Sequence, residues 1–386
     1  MKMHFDWRDL LKAPRLALST GKKLVLQTLG LVIGYLGYLI LTYFAFVLAG
    51  QGVDQTWNYF GLFPIYDFGY GSWISGTVWF IGILFLVALW ILLSTAVAKV
   101  TYEELKGDQF YSFREALRFM KGRTSAILFS PLTLFFLLLF VVICGAIVGL
   151  IGRIPAFGEL LFSIMFGLPV FVVGIFAVFV ALVFFFSFII TPPAVATLKS
   201  DTFTTVLQYF QTIWNQPGRF FGYSAILLVF AKLGVFVFGY FIMRTFQLVN
   251  WACGLTMGSK LDDIFRASWS YLPLPDVLEF FTTLYPGSSI AYHFSFYPGG
   301  VELAPTQALA AFLIGITLVL IIFILVGYGL TILTCGQTIS FLITYNHRED
   351  ENLLERKSEE EEAKAEEVEG ELREKLEPEP KARAKA

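Results

Sequence analysis

The chain has 386 residues, of which 56% are hydrophobic, 17% are aromatic and only 15% are charged. Soluble domains carry charge on about a quarter of their residues, so this composition excludes an ordinary soluble protein and predicts an integral membrane protein. The net charge of −2 conceals an asymmetry, because the acidic residues concentrate in the C-terminal tail and the rest of the chain is basic. Basic loops beside apolar segments indicate contact with anionic membrane lipids, and we expect no nucleic-acid partner.

The N-terminal segment is basic and precedes the first apolar stretch. Residues 1–23 contain six lysines and arginines, which predicts a cytoplasmic N-terminus by the positive-inside rule. The stretch from Leu10 to Leu18 is amphipathic, although Pro14 is expected to interrupt a helix there. The first apolar stretch is too long for the core of a cleaved signal peptide, so we expect it to remain as a membrane anchor.

Six apolar stretches are each long enough to cross about 30 Å of hydrocarbon as a helix. They cover residues 24–49, 73–98, 125–151, 160–191, 219–243 and 305–345. With the N-terminus in the cytoplasm, six spans place the C-terminus there as well. Residues 50–72 and 244–304 are then external loops, with a short interfacial helix predicted from Pro275 to Leu284.

Glycines and prolines predict local geometry within these spans. Gly30, Gly34 and Gly37 lie at near-helical spacing in the first span, which predicts close packing against a neighbouring helix. Pro192 and Pro193 are expected to break the fourth span at its cytoplasmic end.

A short motif recurs after two of the spans. It reads Leu-Lys-Gly-Asp-Gln-Phe at residues 105–110 and Leu-Lys-Ser-Asp-Thr-Phe at residues 198–203. An amphipathic segment, a Gly-Arg pair and another apolar stretch follow each copy, and a fainter third copy opens the chain. Asp108 and Asp201 are the predicted N-caps of the two amphipathic helices.

These elements predict an all-α polytopic membrane protein with six transmembrane helices. We expect three parallel repeats, each consisting of an interfacial amphipathic helix and a helical hairpin. The predicted six-helix domain covers residues 1–348, divided into units of about 1–98, 99–191 and 192–348. Residues 349–386 are rich in charge and poor in large apolar side chains, so we expect a disordered acidic tail.

Lys232 lies near the middle of the fifth predicted span. A charge there costs roughly 2.5–3.5 kcal/mol on insertion scales, and no acidic residue within a span is available to pair with it. Three interpretations are open. The side chain extends to one membrane surface, it bonds polar groups inside the bundle such as Gln337, or it binds an anionic ligand such as a lipid phosphate.

Glycine followed by one or two cations marks the entrance to three of the spans. These cations are Lys22 and Lys23 after Gly21, Arg123 after Gly122, and Arg219 after Gly218. A cation at the inner interface fixes the depth of a span and attracts anionic headgroups. The four cations, together with Lys232 and Gln337, are the candidate lipid- or ligand-binding residues.

The second half of the sixth span is unusually polar. It contains Thr331, Thr334, Gln337, Thr338 and Thr344. Such residues commonly bond one helix to another, and they can equally line a polar path; we favour the bonding role.

No residue pattern indicates catalysis, a metal or a cofactor. The histidines His4, His293 and His347 lie in three separate regions, and the three cysteines have no metal-ligand spacing. Motifs such as HExxH, the P-loop and GxSxG are absent from the sequence. We therefore expect a non-enzymatic protein without a cofactor.

The order of span, Leu-Lys-x-Asp-x-Phe, amphipathic helix, Gly-Arg and span resembles that of uncharacterised prokaryotic multispan families. These families are similar to the membrane domain attached to some glycerophosphodiester phosphodiesterases. The stretch from Tyr345 to Leu354 (YNHREDENLL) resembles their usual ending. The resemblance implies a bacterial inner-membrane protein, and no catalytic residue carries over because the phosphodiesterase domain is not in this sequence.

Three functional hypotheses follow. The first is a non-enzymatic membrane protein that interacts with lipids or with membrane-protein partners. The alternative is a permease or channel for a small or amphiphilic anion, with Lys232 at the membrane midplane. The third is an assembly factor whose acidic tail binds a cytosolic partner.

Overall fold

The computed structural model describes residues 3–66, 71–155, 157–269, 283–285 and 303–356. Within these residues every regular element is helical, and six helices are long and apolar enough to cross a membrane. The six predicted spans are therefore confirmed as long apolar helices, although the fourth, predicted from residue 160, begins only at Leu168 because a separate short helix and a π-helical turn come first.

Twelve α-helices occur in the described part of the chain. They are α1 (Ala13–Ser19), α2 (Gly21–Leu48), α3 (Val53–Phe60), α4 (Trp73–Lys106), α5 (Phe113–Gly122), α6 (Thr124–Gly152), α7 (Phe157–Met165), α8 (Phe171–Leu198), α9 (Thr202–Asn215), α10 (Pro217–Met257), α11 (Ser259–Trp269) and α12 (Pro305–Glu349). Short 3₁₀ turns precede α1 (Trp7–Lys12) and follow α12 (Leu353–Glu355), and a π-helical turn (Phe166–Val170) leads into α8.

The long helices form a bundle around α4, α8 and α12, which contact one another. Each of these three packs with the long helix before it in the chain, namely α2, α6 and α10. We call the end that carries α1, α5 and α9 the basal end, and both ends of the described chain lie there. The core is concentrated in the basal half, because the main buried stretches of the three central helices are residues 91–105, 180–197 and 327–344.

The glycines of α2 bring it close to α4, as the sequence predicts. A Cβ on Gly30 would lie 2.9 Å from Leu93 Cβ, and one on Gly34 would lie 3.0 Å from the Leu86 side chain. Any larger residue would push the two helices apart, so the predicted close packing is confirmed.

Two predicted breaks in the helices are wrong. Helix α8 continues through Pro192 and Pro193 to Leu198, because this stretch is buried and its packing outweighs the lost backbone hydrogen bonds. Residues predicted as loop from 244 onward are helical as far as Trp269, with a bend at Gly258 (φ +59°) between α10 and α11. Most of the interfacial helix predicted from Pro275 to Leu284 lies outside the described residues.

The N-terminal amphipathic segment is buried against the bundle. Leu10, Leu16 and Ala17 are at most 3% exposed, and α1 packs on α12, α2 and α10. Pro14 does not interrupt this helix, because it lies in the first turn of α1, where its missing N–H has no intrahelical partner to lose.

Of the two predicted N-caps, Asp201 is confirmed and Asp108 is wrong. Asp201 accepts a hydrogen bond from the Thr204 N–H at 3.1 Å, so it caps α9 as predicted. Asp108 does not cap α5, and instead accepts from the Phe110 N–H in a local turn. The N-cap of α5 is Ser112, which forms a capping box with a glutamate three residues later.

The half of the α6–α8 hairpin farthest from the basal end stands apart from the bundle. All six residues from Phe171 to Phe176 are exposed, which is more than one full turn of helix. In α6, buried residues occur only between Ala126 and Leu134. The hairpin therefore presents apolar surface on most of its sides.

The first residues of the predicted tail are folded onto the basal end. Leu353 is 2% exposed, and its carbonyl accepts a hydrogen bond from the Tyr102 hydroxyl at 2.7 Å. Lys106 Nζ donates to the Arg356 carbonyl at 2.6 Å. The boundary predicted at residue 349 is therefore too early, while residues 357–386 lie outside the described residues.

Candidate functional site

Lys23 is fully buried at the basal end. The sequence predicted it at the membrane surface, so this prediction is wrong. Lys23 Nζ lies 2.5 Å from Glu104 Oε2 of α4, in an ion pair that lacks the geometry of a well-aligned hydrogen bond. It also donates to the carbonyl of Leu16 at 2.7 Å and to Ser19 Oγ at 3.1 Å. Lys23 thus joins α1, α2 and α4, and this position is not that of a headgroup ligand.

A second ion pair lies on α4 and joins a buried lysine to a partly exposed glutamate. Lys99 is 3% exposed, and its Nζ lies 2.6 Å from Glu103 Oε1. The same ammonium stands 5.1 Å from the ring centre of Tyr102 and 4.8 Å from that of Phe119 on α5. Cation–π contacts of this kind favour a charge that has been removed from water. The pair therefore helps to hold α5 against α4.

The N-terminal segment contributes a third buried charge. Asp9 is 1% exposed and forms an ion pair with Lys12, with a separation of 2.5 Å between Nζ and Oδ1. Its other carboxylate oxygen accepts the backbone N–H of His4 at 2.8 Å.

Sequence reasoning missed these buried pairs. The sequence patterns discussed above did not single out Lys99, Glu103 or Glu104, although Lys99 and Glu103 have the i, i+4 spacing of a helical ion pair. That spacing was the available signal. The partner of Glu104 is 81 residues away in the sequence, so only the fold brings it together with Lys23.

The exposed cations of the basal end lie mainly on α5. Ala116 and Met120 are buried beneath this helix, whereas Arg114, Arg118 and Lys121 are exposed. The helix thus turns its apolar side toward the bundle and its basic side away from it.

Two predicted lipid ligands lie near this basic side. Lys22 Nζ donates to the carbonyl of Tyr111, just before α5, at 3.2 Å. Arg123 is partly exposed and directly precedes α6.

The predicted ligand Arg219 is exposed at the start of α10, where it donates to the Gln216 side chain at 3.3 Å.

The electrostatics of α5 also affect Glu115 in its first turn. The backbone N–H of Ser112 donates to this carboxylate at 2.7 Å, and this bond is the main reason that the pKa of Glu115 lies below its ordinary value. The nearby charges of Arg118 and Lys22 lower the pKa further. The carboxylate therefore stays ionised, as a capping box requires.

Lys232 and Gln337 lie apart and make different contacts. Lys232 is exposed on α10, and its Nζ stands 5.4 Å from the ring centre of Tyr285. Gln337 is buried in α12 and donates to Ser224 Oγ of α10 at 2.9 Å. Of the three open interpretations of Lys232, a bond to Gln337 inside the bundle is not supported, because Lys232 is exposed and Gln337 is buried.

The threonines of α12 do not bond neighbouring helices. The hydroxyls of Thr331, Thr334 and Thr338 each donate to the carbonyl four residues earlier in the same helix. Thr344 makes the same bond to Ser340. The favoured bonding role thus holds for Gln337 alone among the five polar residues that the sequence singled out.

Comparison of the chain with protein-family models, with curated proteins and with solved structures finds no match. Among the described residues, no group of three or more His, Cys, Asp or Glu side chains is placed to hold a metal ion. The candidate site is therefore defined by geometry, as a basic surface on α5 supported by buried ion pairs.

Proposed function

We propose that the protein is a non-enzymatic, multi-pass protein of the inner (cytoplasmic) membrane that binds anionic phospholipids at its basal end. The observation that carries this proposal is the exposed basic side of α5, which consists of Arg114, Arg118 and Lys121. Lys22 and Arg123 extend the same surface. The basal end faces the cytoplasm in this proposal, since basic segments are retained on that side.

The position of α5 supports contact with lipid headgroups. Arg123 alone separates α5 from α6, whose Thr124–Gly152 helix is one of the six able to cross a membrane. The cations of α5 therefore lie at the level where a membrane-spanning helix begins. A basic residue near an anionic surface contributes about 1 kcal/mol of attraction, so three of them form an appreciable site.

The outer surface of the bundle supports the membrane location. Large apolar side chains are exposed along α6 and α8, including Phe140, Val142, Phe171 and Val178, each of which is at least 60% exposed. Such surface is unfavourable in water and is matched by acyl chains.

The arrangement of the helices supports three parallel repeats, as the sequence predicts. The central helix of each unit ends at a residue with left-handed backbone, namely Gly107, Lys199 and Asp350. A short helix of the following unit packs near two of these ends, with α5 on α4 and α9 on α8. In the proposed repeat, α1 takes the equivalent place on α12.

The proposal is tested by replacing the three cations of α5 with glutamine, as Arg114→Gln, Arg118→Gln and Lys121→Gln in one protein. The matched control carries Arg153→Gln, Lys260→Gln and Arg266→Gln, which remove the same charge from exposed positions away from the basal end. Phosphatidylglycerol and phosphatidylcholine binding are measured by native mass spectrometry of the purified protein.

The α5 variant is expected to bind phosphatidylglycerol roughly 100-fold more weakly, because three cations at about 1 kcal/mol each contribute about 3 kcal/mol and each 1.4 kcal/mol is a factor of ten. The control variant is expected to bind as the wild type does, and phosphatidylcholine binding should not change. Equal loss of phosphatidylglycerol in both variants, or in neither, contradicts a site on α5.

A further inference from the structure

A small polar cavity lies between α8, α9, α10 and α12 in the basal half of the bundle. Its polar lining comes from Thr212, Gln337, Ser340 and Thr344, and its apolar lining includes Pro193 and Phe220. The space open to the centre of a water-sized sphere is about 10 Å³. By that measure one water needs roughly 10–15 Å³, so the cavity accommodates a single water molecule and nothing larger.

Ser340 is the polar group that the protein leaves unsatisfied here. Its side chain is 1% exposed, and its Oγ has no hydrogen-bond partner among the described residues. A buried hydroxyl without a partner is unfavourable, so such groups in native proteins are usually satisfied by an ordered water.

Other groups at the cavity can complete the coordination of a water. The Gln337 amide uses its N–H toward Ser224, which leaves its carbonyl oxygen as an acceptor. Thr212 contributes a hydroxyl from α9 and is 4% exposed.

Aromatic side chains close the cavity on one side. Phe220 is 3% exposed, and the ring of Phe186 packs edge-on against it with the ring centres 5.5 Å apart. Phe186 also packs on Phe221 at 5.0 Å. These rings join α8 to α10 beside the cavity.

We propose that the cavity binds one ordered water, which bonds to Ser340 Oγ and links α12 to α9 through Thr212. The water has two or more polar partners, as internal waters in proteins normally do. This site is independent of lipid binding at α5 and makes the polar stretch of α12 a structural element of the bundle.

The first test is radiolytic hydroxyl footprinting of the wild-type protein in detergent. Bound internal water generates radicals in place, so Phe220 and Phe341, which are 3% and 4% exposed, should be oxidised. Phe46 is the internal reference, because it is fully buried and does not line this cavity. Oxidation of the two phenylalanines no greater than that of Phe46 overturns the proposal.

The second test uses the sign of a change in Tm. In Ser340→Ala, a bridging water loses a partner and Tm should fall, whereas removal of a hydroxyl that is truly unsatisfied would raise Tm. Ser187→Ala is the matched control, because this buried hydroxyl donates to the Phe184 carbonyl of its own helix. A Tm for Ser340→Ala at or above that of the wild type overturns the proposal, and a fall larger than that of the control supports it.

Discussion

At the residue scale, the packing of the basal end depends on buried charged side chains, each of which has an ion-pair partner. Lys23 is fully buried between Glu104, the Leu16 carbonyl and Ser19. Removing two charges from water is unfavourable, so a pair like this contributes through specificity of packing more than through net stability. Because Lys23 also bonds to Leu16 and Ser19 of α1, it fixes the position of α1 relative to α4.

Lys23→Met is expected to destabilise the protein by about 3–5 kcal/mol, because it leaves Glu104 without its ion-pair partner. Lys22→Met is the control, since its neighbouring ammonium is partly exposed and makes one bond to a carbonyl. Chemical denaturation in detergent measures the free energy of unfolding of both. In the double variant Lys23→Met with Glu104→Leu, most of the loss should be recovered. A Lys23→Met variant as stable as Lys22→Met contradicts this role.

At the element scale, helix α5 is determined by local sequence and positioned by packing. Ser112 and Glu115 close a capping box at its N-terminus, with the Glu115 N–H donating to Ser112 Oγ at 3.2 Å. Burial of Ala116 and Met120 sets which side of the helix faces α4. Because Ala116 and Met120 attach one side of α5 to the bundle, the opposite, basic side of the helix faces away from the bundle.

Ser112→Ala is expected to weaken the first turn of α5 by about 1 kcal/mol, because the Glu115 N–H loses its capping acceptor, Ser112 Oγ. Asp108→Ala is the control and should leave the turn intact, since Asp108 bonds only the local loop. Hydrogen exchange of residues 113–116 measures the difference, and equal exchange in both variants contradicts the assignment of the cap.

The same element carries a pH dependence whose sign follows from the pKa of Glu115. The pKa of Glu115 in the folded protein lies below the ordinary value for glutamate. The ionised carboxylate therefore stabilises the first turn of α5 at pH values above that ordinary pKa. This stabilisation is lost as the pH falls through the lowered pKa, when the carboxylate is protonated. The protection of the first turn in the wild type should decrease in that acidic range.

At the scale of the whole molecule, the three central helices meet in the basal half and both ends of the described chain cover that half. The N-terminal segment packs on α12, and the segment after α12 returns to α4 through Leu353. The opposite half of the α6–α8 hairpin lies outside this compact region. Stability is therefore concentrated at the basal end.

Truncation measures what the segment after α12 contributes to stability. A protein ending at Arg356 keeps the buried Leu353 and its bond to Tyr102, and it is the reference for a shorter chain. A protein ending at Glu349 loses both, and burial of a leucine alone contributes about 1.5–3 kcal/mol. Thermal unfolding in detergent measures the two truncations. Equal Tm values for both would show that Leu353 does not contribute.

The number and position of the long helices followed from the sequence, because a run of about 20 apolar residues partitions into hydrocarbon whatever its neighbours are. The side of α5 that is buried was also predictable, since polar and apolar residues alternate there with helical period. The cap at Asp201 was local as well, depending on contacts within three residues.

Apart from α2, whose glycines mark its packing side, only the tertiary structure decided which side of a long helix faces another helix. Side chains that face lipid and side chains that face a neighbouring helix are both apolar, so the sequence of a span contains little signal for its rotation. The outward position of Lys232, the burial of Lys23 against Glu104 and the continuation of α8 through Pro193 all depend on that rotation and on contacts distant in sequence. The packing of one helix against another determines these features, and they cannot be read from the hydropathy of the local sequence.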